Sequence, residues 1–168
     1  MVLSKAELIA SLQNEARIAV HLLSKVDSAA LDYRPSERQR STLELARYIG
    51  MMGPTIIRWS LANTSDFDIW MKAEAASKEW NFEQAKAAVA AQRDEYADLL
   101  AGLTDADFRA EVTDFDGNKT SRGNFLTNLV LAGCAAYRMQ LFLYLKASCA
   151  PEINSANLWS GVEAPAPK

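Results

Sequence analysis

Residues 81–103 read NFEQAKAAVAAQRDEYADLLAGL, and this stretch decides the fold. Asn81 followed three residues later by Gln84 is a helix-start signal: the first side chain caps the backbone of the second, and the second reaches back. Behind it Phe82, Ala85, Val89, Gln92, Tyr96, Leu99 and Leu103 alternate in steps of three and four, the spacing of a bundle seam. The signature recurs along the chain. Ser4 with Glu7 opens a first helix, whose Leu8, Leu12, Ala16, Ala19, Leu23 and Val26 share one face and which is expected to end between Lys25 and Ser28. Ser41 with Glu44 opens a second, pointing Leu45, Ile49, Met52, Ile56 and Trp59 inward. Ser121 with Asn124 opens the last, after residues 81–103 supply the third. Its broad apolar face of Phe125, Leu126, Leu129, Val130, Gly133, Tyr137, Leu141 and Tyr144 predicts a central position. Gly53-Pro54 is expected to interrupt the second helix, because a proline at 54 cannot donate to the carbonyl of Gly50.

The connections complete the architecture. The segment from Ala62 to Trp80 is long for neighbouring antiparallel helices and implies a crossover along the bundle. Thr104 with Asp107 starts a helical turn, and Asp116-Gly117 marks a tight turn between short extended pieces. The expectation is an all-α four-helix bundle, with a long crossover between helices 2 and 3 and a small hairpin-like insertion before helix 4. The bundle occupies residues 1–149, and a partly disordered tail occupies 150–168. The tail ends in Ala-Pro-Ala-Pro-Lys, while Leu158-Trp159 is expected to dock on the body.

A chain of 168 residues, 49% hydrophobic and 23% charged, suffices for one core. A net charge of −3, with both signs mixed along the chain, offers no basic stripe for phosphates, so no nucleic-acid partner is expected. Cys134 and Cys149 lack ligand spacing and make no disulfide framework. The residues after Met1 turn polar at once, and the unbroken apolar run from Leu129 to Tyr137 is too short for a bilayer. A cytoplasmic protein without a membrane partner is the expectation.

Three segments carry a family resemblance: Tyr33-Arg34-Pro35, the opening Ser41-Thr42-Leu43-Glu44-Leu45, and Tyr137-Arg138-Met139-Gln140-Leu141 with Tyr144-Leu145. Together they resemble the DinB/YfiT-like superfamily over residues 4–147, and the long connection after helix 2 agrees with that family's bundle. Metal-binding members place one histidine in helix 2 and two, four residues apart, in helix 4 before an Arg-x-Gln. Carried onto this chain those positions are Tyr48, Gly133 and Tyr137. None is histidine, so the resemblance implies a divergent member without the metal triad, and no cofactor is expected.

The chain's single histidine, His21, excludes any site that needs two imidazoles; it sits with Arg17, Ser24 and Lys25 on a face expected to be solvated. Asp114, Asp116, Asn118 and Thr120 resemble the start of a calcium loop, but Lys119 and Phe125 stand where that loop requires glycine and glutamate. Glu15 and Glu44 have no Glu-x-x-His partners for a di-metal site. This leaves the Tyr48, Gly133 and Tyr137 region as the candidate pocket, with Cys134 beside it and Arg47 and Arg138 flanking the tyrosines. Either the two phenols line a cavity for an organic ligand, or their rings fill the space a metal would take. Trp59, Trp70 and Trp80, with Phe67, Ile69 and Met71, need a covering surface, either the bundle or a second copy, and a homodimer is expected. Three functions remain open: a non-metal small-molecule binder or interaction module; a thiol-dependent transferase or isomerase of the kind found among metal-containing relatives; and a structural dimer whose pocket is filled.

Overall fold

The helix-start signals form as hydrogen bonds. In the computed structural model, which describes residues 3–64 and 66–163, Ser4, Ser41, Asn81 and Thr104 each cap a helix reciprocally with the residue three positions on. Helix α1 spans Lys5–Leu23, α2 Thr42–Ala62, α3 Asp68–Lys78, α4 Phe82–Ala101 and α5 Asp105–Arg109. Strands β1 (Glu111–Thr113) and β2 (Lys119–Ser121) pair antiparallel about a turn with Gly117 at φ 84°. A last long helix follows, built from α6 (Arg122–Leu126), a wide turn (Thr127–Leu131) and α7 (Ala132–Ser148). The fold is all-α: α1, α2, α4 and α6–α7 pack around two hydrophobic clusters, with Trp80 and Tyr137 packed against both.

The core follows the seams read from sequence. Leu8, Leu12, Ala16 and Ala19 of α1 are buried, as are Leu45, Ile49, Met52, Ile56 and Trp59 of α2. In α4 the buried positions are Ala85, Val89, Gln92, Tyr96 and Leu100, the last replacing Leu99 and Leu103 at the C-terminal end.

Several expectations are corrected. Helix α2 runs unbroken through Pro54, because Gln92 of α4 donates from Nε2 to the Ile49 and Gly50 carbonyls at 2.7 and 3.0 Å. The oxygen that proline leaves without a donor thus acquires one from another helix. The crossover is itself helical: α3 lies on α2 and brings Trp70 against Tyr48, ring centroids 6.0 Å apart, while Trp80 packs over Gly50. The bundle covers these two tryptophans and leaves Phe67 and Met71 exposed. Finally, the last helix is not central. Phe125, Leu126, Val130, Leu141 and Leu145 enter the core, but Met139 and Leu143 face outward. By length and composition alone Arg122–Ser148 is apolar enough to cross a membrane.

Residues 150–163 lie along α1 and α7, burying Ala150, Ile153 and Leu158, whereas Trp159 stays largely exposed. His21 is therefore half-covered rather than solvated, its Nε2 3.1 Å from Asn157 Nδ2. Burial lowers its pKa, and the neighbouring Lys25 and Arg17 add to that against the opposing pull of Glu163. The Ala-Pro-Ala-Pro-Lys end lies outside the described residues.

Candidate functional site

The last helix widens between Thr127 and Leu131, where the Ala132 N–H donates to the Thr127 carbonyl five residues back. Buried positions through this region, Leu126, Val130 and Arg138 with the Cys134 thiol between them, step by four, longer than the 3.6 of a regular helix. The widened turn holds one edge in the core while Leu129, Ala132, Gly133, Ala136 and Tyr137 face a groove between this helix, α2 and α3.

That groove has a volume of about 630 Å³, within the range of small-molecule sites. Its floor is Met52 and Ile56 of α2 with the small residues of α7, and its walls are aromatic: Tyr48, Tyr137, Trp70, Phe67 and Phe115. Tyr48 and Tyr137 meet edge to face at 4.8 Å. Phe115, at the hairpin turn, stacks on Trp59 at 4.5 Å and closes one end. Asp114 holds this turn in shape, its Oδ1 accepting from the Asp116 and Asn118 N–H groups at 3.0 and 2.7 Å. The carboxylate that resembled a calcium ligand is a turn cap.

The structure brings together three of the six candidate residues, Tyr48, Gly133 and Tyr137, in the wall of one groove. The other three point elsewhere. Cys134 turns its sulfur inward to 3.7 Å from the Tyr96 hydroxyl, and burial pushes its thiol up to about 11, so it offers no thiolate at neutral pH. Arg138 is buried against Glu15 of α1, Nε to Oε2 2.8 Å, and donates to the Leu158 carbonyl. Arg47 donates to the Trp80 carbonyl at 2.6 Å and lines a different recess. Sequence reasoning missed Phe115, Asn128, Ala132 and Ala136 as lining residues; it grouped Phe67 and Trp70 together but gave them only a packing role.

No protein-family model matches the chain, and no curated protein sequence matches it. Among solved structures it is similar to YjoA, a DinB-like protein from Bacillus subtilis, with a TM-score of 0.63 over 83% of this chain and 90% of that one. The fold is DinB-like. At 16% identity the likeness reaches the fold and stops there.

Within this DinB-like fold the lining of the groove carries no His, Cys, Asp or Glu side chain. Among the described residues no three His, Cys, Asp or Glu side chains come together as ligands. At Gly133 a Cβ would meet Met52 Cε at 3.3 Å and Sδ at 3.4 Å, so a thioether occupies the space into which a ligand there would reach. Burial, then the adjacent Tyr137 phenol, raises the Tyr48 pKa well above that of a free tyrosine. Tyr48 therefore remains a neutral phenol, a hydrogen-bond donor rather than an anionic ligand. Elemental mass spectrometry on untagged protein is expected to find no stoichiometric zinc or nickel; a near-equimolar metal would overturn this reading of the groove.

Proposed function

We propose that the protein binds a small organic molecule in the groove between α2, α3 and α7. The observation that supports this most is the combination of rigid aromatic walls with a floor of small residues. Tyr48, Trp70, Tyr137 and Phe115 offer flat apolar faces, while Ala132, Gly133 and Ala136 leave open the space that larger side chains on α7 would fill. The Tyr48 and Tyr137 hydroxyls and Asn128 are the polar groups available to orient a ligand. Nothing in the groove supplies a nucleophile: the one nearby thiol is turned into the core, and its pKa is raised.

N-phenylnaphthylamine, an uncharged dye that brightens in apolar surroundings, reports occupancy directly. Wild-type protein is expected to bind it saturably. Ala136→Trp, which places an indole in the groove from an exposed helix position, should weaken binding by about tenfold or more while leaving thermal unfolding unchanged. Equal binding by both proteins would remove the groove from consideration. Exposed Met139 and Leu143 on α7, with Met71 of α3 and Phe67 at its N-cap, support the expected homodimer, which sedimentation equilibrium reads directly.

A further inference from the structure

Beside the aromatic groove, on the other side of Tyr48, lies a second recess of about 370 Å³. Tyr48 lines both. The recess carries five cations, Arg34, Arg38, Arg40, Arg47 and Lys78, in a protein whose net charge is −3. Three carboxylates face them, and two are already engaged. Glu44 accepts from the Ser41 N–H at 2.7 Å and pairs with Arg34 at 3.3 Å, and Glu74 pairs with Lys78 at 3.7 Å. Glu37 is the third. Among the described residues Arg38 and Arg40 have no carboxylate within salt-bridge distance. Arg40 instead lays its guanidinium 3.8 Å over the Tyr48 ring. Stacking leaves the planar fork of N–H donors free at its edge, which suits bidentate recognition of an oxyanion.

We propose that the ligand is an organic anion: an apolar, preferably aromatic body carrying one carboxylate, sulfonate or phosphate group. This rests on the reading of the groove as a binding site and adds the chemistry of its occupant. The body lies against Tyr48, Trp70 and Tyr137, and the acid reaches past the Tyr48 ring to Arg40 and Arg38. The recess alone is open and wet, so a small inorganic anion there competes with water and salt. Joined to the groove, the same charges act on a ligand already positioned by its apolar part.

A matched pair of probes separates the two parts. Anilinonaphthalene sulfonate and uncharged N-phenylnaphthylamine share an aromatic body and differ in the acid. In wild-type protein the sulfonate is expected to bind about tenfold tighter than the neutral dye, the size of one good charge-assisted contact. Arg38→Gln with Arg40→Gln should bring the two affinities together while the neutral dye keeps its own. Arg93→Gln, on an exposed face of α4 outside both cavities, should leave the ratio unchanged. A wild-type ratio near one, a ratio that survives the double substitution, or an equal loss in Arg93→Gln would each overturn the assignment of the acid. Failure of both dyes to bind, or binding indifferent to Ala136→Trp, would instead overturn the groove reading on which it rests.

Discussion

Glu15→Ala should lower the stability of this protein by about 3–5 kcal/mol, read as a shift of the urea midpoint. The side chains of Glu15 and Arg138 are 12% and 7% exposed and lie 2.8 Å apart. Deleting the carboxylate leaves a guanidinium in the interior that cannot deprotonate. The pair is not thereby a strong net stabiliser, because desolvation opposes much of its attraction. Replacing both partners, Glu15→Leu with Arg138→Met, should recover most of the loss. Full recovery stays out of reach, since Arg138 also donates to the Leu158 carbonyl and anchors the segment that follows α7. The same balance shows in pH. Burial raises the Glu15 pKa more than Arg138 lowers it, so the folded value lies above the unfolded one. Its contribution is then present below the unfolded value and lost as pH climbs through the folded one. The stability difference between wild type and Glu15→Gln should shrink as pH rises across the carboxylate range; a difference that grows would place the shift in the opposite direction.

The second large effect is expected at Gly53. An alanine there would gain up to about 1 kcal/mol of helix propensity. Its Cβ, however, would stand 2.2 Å from the Tyr96 hydroxyl, on a side chain with no exposed surface. That hydroxyl is held by donation to Gln92 Oε1 at 3.1 Å, and the same Gln92 amide supplies the carbonyls at Ile49 and Gly50. The ring cannot retreat without disturbing the bond that keeps α2 continuous through Pro54. Overpacking therefore wins, and Gly53→Ala should destabilise by about 1–3 kcal/mol net. Gln92→Leu should cost a similar amount, about 1–3 kcal/mol, by leaving buried polar atoms without partners. Tyr96→Phe should relieve part of the Gly53→Ala loss, so a double-mutant cycle by calorimetry would show the two sites strongly coupled. Additive losses would mean that the phenol is not the obstacle.

What the sequence made legible was local. Capping pairs such as Asn81 with Gln84 place both partners within one turn, and the three-four seams follow from helix geometry alone. Helix α3 escaped because it lacks such a signal: Phe67 occupies its N-cap position and makes no side-chain cap bond. The continuity of α2 was hidden because its remedy, Gln92, lies in another helix. Arg138 was legible only as a neighbour of Tyr137, because its partner, Glu15, comes from α1. The groove was legible only in the residues the family resemblance pointed to. Its outer walls depend on where the crossover and the hairpin turn lie in space, which no periodicity encodes; Phe115 in particular is one aromatic in a polar turn.

The widened turn at Thr127–Leu131 links two surfaces that would otherwise be independent. A residue added to or taken from an α-helix rotates everything beyond it by about 100°. Had this helix been regular, the side chains that pack with α1 would keep their contacts at one end only, and Ala132, Gly133, Ala136 and Tyr137 would face another direction. The cavity wall thus exists by a phase offset: the chain spends one loosely wound turn so that a single helix can present a core edge and a binding edge in step along its length.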